Sequence, residues 1–252
     1  MYIDTHCHIS NEYYEDIDLL MKENKEVNIM AVIISGCDKE SIKEGVQIAN
    51  KYSEVYLTLG YHPSEAAFIE SKDLNLLENL LINTPKVIAL GEIGLDYYWE
   101  KESINKQKDI FRKQLKIAEK LKLPVVIHSR NATEDTINIL KEYNVKGVMH
   151  CFGGSLETAK IYIKMGYKLG IGGVVTFKNS KLKEVIKNIS LDDIVLETDA
   201  PYLAPEPFRG KQNSSKYLPY IVACIAEIKE IPEEDVMKKL YQNTIELFDL
   251  NI

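Results

Sequence analysis

The sequence predicts an α/β protein built as a (β/α)8 TIM barrel. Eight short apolar or β-branched runs recur along the 252 residues, and stretches with helical periodicity separate them. The runs are continuously apolar, which is typical of parallel strands buried on both faces. Eight such strands alternating with helices fit one barrel, so we expect residues 1–252 to form a single domain. A doubly wound sheet is the alternative, but no glycine-rich phosphate loop follows any run.

The predicted strands are the apolar runs themselves. Each run ends in polar residues or glycine, where a loop leads into the next helix. The strands are expected to begin near Tyr2, Ile29, Val55, Val87, Val125, Gly147, Tyr167 and Ile194.

The predicted helices fill the gaps between the runs. One begins near Ser103, carries Phe111 on its apolar face and is stopped by Pro124. Ser41 and Glu44 form a capping-box pattern, which predicts that an earlier helix begins at Ser41. The predicted helical ranges are 41–52, 103–122, 133–143, 156–165, 180–189, 215–229 and 232–249.

Composition and charge are those of an ordinary globular protein. The chain is 45% hydrophobic and 27% charged, and no run approaches the ~18 apolar residues of a membrane span. It begins without the pattern of a secretory signal, and its four cysteines form no C-x-x-C pair. We therefore expect reduced thiols in a cytoplasmic protein. The sequence indicates no obligate protein partner, and a monomer is taken as the default. The net charge of −7 argues against binding nucleic acid by bulk electrostatics, but it allows a local cationic site.

All five histidines of the chain lie at the carboxyl ends of predicted strands. In this kind of barrel, the active site forms at those ends. His6 and His8 lie two residues apart, so both side chains point to the same side of the first strand. The others are His62, His128 and His150. Since imidazole nitrogen is a common ligand for divalent metals, the clustering predicts a metal site.

Two carboxylates complete the predicted metal site. Glu92 ends the fourth apolar run, where a buried carboxylate requires a partner such as a cation, and Asp199 follows the eighth run. We expect the first-strand histidines and Asp199 to hold one ion, and the histidines after the fifth and sixth runs to hold a second. Glu92 is expected to bridge the two ions. The predicted ligands are His6, His8, Glu92, His128, His150 and Asp199.

Two cations about 3.5–4 Å apart activate water and stabilise both oxygens of an in-line displacement at phosphorus. The predicted catalytic residues are Glu92, His62 and Asp199, which could accept the proton of the attacking water. Mixed nitrogen and oxygen ligands suit Zn²⁺, Mn²⁺ or weakly held Mg²⁺. Asp96 and Glu197 stay outside this ligand set, since Asp96 could cap a turn and Glu197 could pair with a lysine.

Arginine placement indicates an anionic substrate. The chain has only three arginines, and Arg130 and Arg209 fall in loops that follow predicted strands. The guanidinium group is well suited to binding phosphate oxygens. The predicted substrate-binding residues are therefore His62, Arg130 and Arg209.

Six short motifs follow one another along the chain. They are D-T-H-C-H, G-Y-H-P, G-E-I-G-L-D-Y, V-I-H-S-R, H-C-F-G-G and E-T-D-A-P-Y-L-A-P. With R-G-K-x-N they span Asp4 to about Asn213, and together they resemble the TatD family of metal-dependent deoxyribonucleases. The resemblance implies a TIM barrel of the amidohydrolase-like superfamily that hydrolyses DNA phosphodiester bonds with two divalent ions. It further implies a 3′–5′ exonuclease acting on single-stranded ends, and it assigns the same six ligands as the strand-end argument.

Two departures from the family pattern concern substrate binding. Ile9 and Ser10 follow His8 where the family commonly has Leu-Asp, and Ser214 and Ser215 follow Asn213 where it commonly has Glu-Pro. A related barrel hydrolase that acts on an amide, a lactone or an ester such as aminoacyl-tRNA remains an alternative. A non-enzymatic scaffold is a weaker one, since all six candidate ligands are present.

Overall fold

The structure is a computed structural model that describes residues 1–99 and 101–252. In this part of the chain, eight parallel strands run in chain order and alternate with α-helices, which confirms the predicted (β/α)8 TIM barrel class. The chain divides into two compact units. Unit 1 is Met1–Ile34 with Cys151–Ile252, and unit 2 is Ser35–His150. The single domain over residues 1–252 stays a prediction.

The eight strands begin at the predicted residues, because the apolar runs are the buried segments themselves. Their bounds are β1 (Tyr2–Cys7), β2 (Ile29–Gly36), β3 (Val55–Leu59), β4 (Val87–Asp96), β5 (Val125–Arg130), β6 (Gly147–Met149), β7 (Tyr167–Ile171) and β8 (Ile194–Leu196).

The helices include two that the sequence analysis does not predict, α1 and α3. Both carry an apolar stripe at helical spacing, with Leu20 and Met21 buried in α1 and Leu77 and Leu81 buried in α3. The helices are α1 (Ile17–Glu26), α2 (Lys39–Lys51), α3 (Ser71–Asn83), α4 (Ile104–Leu121), α5 (Thr133–Leu140), α6 (Leu156–Lys164), α7 (Leu182–Asn188), α8 (Leu218–Lys229) and α9 (Glu233–Phe248).

Helix α2 begins at Lys39, two residues before the predicted start at Ser41. Asp38 is the N-cap, and its Oδ1 accepts hydrogen bonds from the backbone N–H groups of Glu40 and Ser41 at 2.8 and 3.0 Å. Ser41 occupies the third helical position, and its hydroxyl oxygen accepts from the N–H of Asp38 at 3.0 Å. The capping box is therefore Asp38 with Ser41, because the aspartate three residues earlier satisfies the first N–H groups.

Unit 1 contains the parallel pairs β1–β2 and β7–β8. A parallel bridge between Cys7 and Ala200 joins the end of β1 to the segment that follows β8. Helices α8 and α9 pack against β1, and α9 also packs against β8. The carboxyl ends of β1 and β8 therefore lie side by side on a buried core.

Unit 2 contains β3, β4, β5 and β6 as successive parallel neighbours. Between β4 and β5 the register pairs Gly94 with His128 and Asp96 with Arg130. A Cβ at Gly94 would lie 1.9 Å from the carbonyl oxygen of His128, so only glycine permits this approach. Within the described residues, no helix combines the length and apolar character that crossing a bilayer requires.

Candidate metal centre

In unit 1, three of the predicted metal ligands converge. The Nε2 atoms of His6 and His8 lie 3.1 Å apart, as expected for side chains two residues apart in a strand. Oδ1 of Asp199 lies 3.8 Å from Nε2 of His6 and 3.4 Å from Nε2 of His8. His6 is buried, whereas the His8 side chain is 21% exposed. Two imidazole nitrogens and a carboxylate oxygen at these distances form a donor set that suits a divalent cation.

Backbone hydrogen bonds between the end of β1 and residues 199–200 position this cluster. The N–H of Asp199 donates to the carbonyl of His6 at 3.0 Å, and the N–H of His8 donates to the carbonyl of Ala200 at 2.7 Å. Asp199 has a φ of 57°, in the left-handed region that non-glycine residues rarely adopt. Backbone strain of this kind is typical of residues whose side-chain direction matters for function.

Asp4 supports the unit 1 cluster, and the sequence analysis did not assign it a role. Its carboxylate is fully buried and accepts hydrogen bonds from the Thr198 hydroxyl at 2.5 Å and the Ser215 hydroxyl at 2.7 Å. It also accepts from the backbone N–H groups of Thr198 at 3.0 Å and His6 at 3.3 Å. Burial raises the pKa of Asp4 to about 7, although these four donors oppose the rise. In the sequence, only its position as a charged residue inside an apolar strand points to this role, because a buried carboxylate requires hydrogen-bond partners.

In unit 2, Glu92 lies among three histidines. Its Oε1 lies 2.8 Å from Nδ1 of His128, 3.8 Å from Nε2 of His62 and 3.8 Å from Nε2 of His150. Glu92 and His150 are buried, and one ligand atom from each of His62, Glu92 and His128 falls within 4.8 Å of the others. Glu92 and the imidazoles of His128 and His150 form a donor set that also suits a divalent cation.

His62 combines a turn role with a place in the unit 2 cluster. It caps the 3-10 turn Pro63–Phe68, where its Nδ1 accepts a hydrogen bond from the backbone N–H of Ser64 at 3.2 Å. A neutral imidazole whose Nδ1 is an acceptor carries its proton on Nε2. His62 therefore directs an N–H donor, rather than a lone pair, toward Glu92.

Asp96 lies in contact with the unit 2 cluster, although the sequence analysis left it outside the ligand set. Its Oδ2 lies 3.1 Å from Nε2 of His128, while its Oδ1 caps the following turn as expected. Burial alone would raise the pKa of Asp96, but the hydrogen bonds from His128 and two backbone N–H groups lower it to about 2. Burial lowers the pKa of His128, and the carboxylates of Asp96 and Glu92 outweigh that effect and raise it. Both ring nitrogens of His128 thus face carboxylate oxygens.

Glu197, the other carboxylate left out of the predicted ligand set, is fully buried in unit 1. Its Oε1 accepts a hydrogen bond from the backbone N–H of Cys151 at 2.7 Å. A Cβ at Gly170 would lie 2.1 Å from Oε2 of Glu197. The absence of a side chain at residue 170 therefore makes room for this carboxylate.

The two predicted substrate-binding arginines each lie over aromatic rings. Cζ of Arg130 is 4.2 Å from the ring centroid of Tyr98 in unit 2. Cζ of Arg209 is 4.2 Å from the ring centroid of Phe177 in unit 1. There it lines a cavity of about 420 Å³ with Lys178 and Lys181 among its other lining residues. Both guanidinium groups thus have one face on an aromatic ring, which leaves their N–H edges available for an anion.

A TIM barrel with clustered imidazoles and carboxylates near the carboxyl ends of its strands is the arrangement expected of a metal-dependent hydrolase. The family model described as TatD related DNase matches residues 3–249. The chain therefore belongs to the TatD family.

Individual relatives support this assignment. The metal-dependent hydrolase YabD of Bacillus subtilis is 40% identical over 256 aligned residues that cover 100% of both chains. The crystal structure of YjjV, a TatD homologue from Escherichia coli, superposes with a TM-score of 0.93 at 30% identity and covers 99% of this chain and 98% of that one. A TatD family hydrolase from Entamoeba histolytica has a TM-score of 0.90 at 25% identity, with coverage of 98% and 97%. The protein is thus a metal-dependent hydrolase.

Proposed function

We propose that this protein is a deoxyribonuclease that hydrolyses phosphodiester bonds of DNA with two divalent cations. Its preferred substrates are single-stranded ends, which it digests from 3′ to 5′ as a cytoplasmic monomer. The observation that carries this proposal is that each unit gathers imidazole nitrogens and carboxylate oxygens at its strand ends. Mg²⁺, Mn²⁺ and Zn²⁺ all remain candidates for the metal.

The donor sets assign candidate ligands to each cation. His6, His8 and Asp199 would hold one cation within unit 1, and His128 and His150 would hold one within unit 2. Glu92 contributes an oxygen in unit 2, and its bridging role remains a prediction from the sequence. When bound, divalent cations lower the pKa of water and stabilise charge on the attacking and leaving oxygens of phosphoryl transfer.

The chain's own groups supply positioning and proton transfer. The Nε2–H of His62 can donate to a phosphate oxygen or to the leaving oxygen, because its Nδ1 is already occupied by Ser64. The carboxylate of Asp199 is 16% exposed and can accept a proton from water. Arg130 and Arg209 can bind phosphates on the substrate strand through their N–H edges.

The test is hydrolysis of 5′-labelled and 3′-labelled single-stranded oligonucleotides by protein stripped of metal and resupplied with Mg²⁺, Mn²⁺ or Zn²⁺. We expect metal-dependent release of nucleotides, with the two labels reporting the direction of digestion. The same assay with labelled aminoacyl-tRNA tests the alternative ester substrate. Cleavage of the ester without cleavage of DNA would overturn the nuclease proposal, and inactivity on both with every metal would favour a scaffold.

The Arg209→Ala substitution is expected to raise the KM for oligonucleotides by about tenfold, which corresponds to loss of one charge-assisted hydrogen bond. Bound metal should not change, because Arg209 contacts Phe177 rather than the metal ligands. Steady-state kinetics and metal analysis check both expectations.

Arg112→Ala is the matched control for Arg209. Arg112 forms a bidentate pair with Glu142 at 2.8 and 2.6 Å on the surface of unit 2. Its removal should leave KM unchanged. An equal rise in KM for both variants would indicate a general effect of charge. Loss of metal from Arg209→Ala would contradict the role of Arg209 in substrate binding alone.

A further inference from the structure

The loop after β4 presents an exposed aromatic cluster in unit 2. Trp99 is the single tryptophan of the chain and is 67% exposed, and Tyr98 is 46% exposed. Their rings meet edge to face, with centroids 4.7 Å apart. Cζ of Arg130 lies 4.2 Å from the Tyr98 centroid and 5.3 Å from the Trp99 centroid. We call Tyr98, Trp99 and Arg130 the aromatic platform.

Asp96 connects the aromatic platform to the unit 2 cluster. Its Oδ1 accepts hydrogen bonds from the backbone N–H groups of Tyr98 at 2.8 Å and Trp99 at 2.9 Å. Its Oδ2 lies 3.1 Å from Nε2 of the candidate ligand His128. The carboxylate of Asp96 therefore has two roles. It fixes the turn that carries the aromatic rings, and it contacts the candidate metal cluster.

The aromatic platform has the chemistry of a stacking site for nucleobases. Single exposed apolar side chains are normal, but contiguous exposed aromatic rings beside an arginine mark a binding surface. The guanidinium of Arg130 has its face on Tyr98, so its N–H edges can reach a phosphate. Aromatic and guanidinium planes are the groups on which unpaired bases stack.

We propose that the aromatic platform binds an unpaired nucleobase of a single-stranded nucleic acid, with Trp99 as the stacking surface. This inference rests on the proposed function and deepens it. Inside a duplex, each base is paired and stacked between its neighbours, so an unpaired strand end offers a base face to Trp99 at a lower cost. The aromatic platform would thereby select single-stranded ends for hydrolysis at the adjacent cluster.

The negative net charge of the chain explains why affinity for a nucleic acid would require a stacking contact. A chain of net charge −7 gains little affinity for a polyanion from bulk electrostatics. Stacking is insensitive to phosphate charge, whereas phosphate binding weakens as salt is raised. The contribution of Trp99 to binding should therefore persist at high salt, while that of Arg130 should decline.

The sole tryptophan provides a direct test. The metal-loaded protein is titrated with a single-stranded oligothymidylate whose phosphorothioate linkages resist hydrolysis, and separately with a matched abasic oligomer. We expect the fluorescence of Trp99 to change with the base-containing oligomer alone. By fluorescence polarisation of a labelled oligomer, Trp99→Ala should bind about tenfold more weakly, and Trp99→Phe should retain most of the affinity.

Tyr143→Ala is the matched control, since Tyr143 is a partly exposed tyrosine between α5 and β6 in the same unit. Its affinity should equal that of the unmodified protein. Equal responses to the abasic and base-containing oligomers, or unchanged affinity of Trp99→Ala, would overturn the proposal. If DNA is hydrolysed but Trp99→Ala binds normally, the aromatic platform alone is wrong. If Trp99 responds to bases but no metal supports hydrolysis, the platform stands and the nuclease proposal fails.

Discussion

Replacement of Glu92 by alanine is expected to abolish hydrolysis while the barrel remains folded. Glu92 Oε1 is the atom within 2.8–3.8 Å of three imidazole nitrogens in unit 2, so its removal leaves the candidate cation there without its carboxylate. Substitutions of groups that only support metal ligands already cost about 10- to 100-fold in activity. We therefore expect kcat/KM to fall by more than about 100-fold.

The expected fold of the Glu92→Ala variant follows from the contacts that remain. His128 keeps its hydrogen bond with Asp96, and no large apolar group is lost from the core. Circular dichroism should match that of the unmodified protein and thermal unfolding should stay cooperative, although Tm falls because His128 loses a buried acceptor and less metal is bound. Glu102→Ala, at an exposed glutamate of the same unit, serves as the control. Turnover close to normal in Glu92→Ala would refute the catalytic assignment.

Asp4→Ala is expected to lower the free energy of unfolding by about 3 kcal/mol, because it leaves several buried donors without an acceptor. For a protein of this length, that corresponds to a fall in Tm of about 6–12 °C. The same change should weaken metal binding in unit 1, since Asp4 joins β1 to Thr198 beside the candidate ligand Asp199. Calorimetry and titration with Zn²⁺ measure the two effects.

Asp4→Asn keeps the size and the hydrogen-bonding groups of the side chain but removes its negative charge. The asparagine carbonyl can still accept from the backbone N–H groups of Thr198 and His6, and its amide can donate to the hydroxyl oxygens of Thr198 and Ser215. We expect it to recover most of the stability lost in Asp4→Ala. A Tm of Asp4→Ala equal to that of the unmodified protein would show that this buried network is not stabilising.

The strands and the placement of polar residues near their carboxyl ends were predictable because their signals are local. A buried parallel strand is a short apolar run, and its carboxyl end is where the run meets polar residues. The histidines and Asp199 lie near those ends, so the sequence predicted that His6 and His8 group with Asp199 and that His128 groups with His150. Their role as metal ligands stays a prediction. The helix that begins at Lys39 was misplaced because two overlapping capping patterns, from Asp38 and Ser41, compete in the sequence.

Other parts of the site depend on contacts between residues far apart in the chain. Asp4 meets Ser215 across 211 positions, and neither residue alone predicts the pairing. The shared contact of Asp96 with His128 and with the turn after β4 also emerges only from the register of β4 against β5. Aromatic residues after a strand predict only a loop, and the role of Trp99 is indicated by its exposure in the structure.

Gly170 carries a constraint that its own chemistry does not reveal. A methyl group there would overlap the carboxylate of Glu197, at 2.1 Å from Oε2 and 2.7 Å from Cδ. The two positions are therefore coupled through space: a larger residue at 170 is compatible only with a shorter one at 197. Homologous sequences that keep the acidic residue should keep glycine, so a glycine at this position indicates a buried carboxyl group beside it.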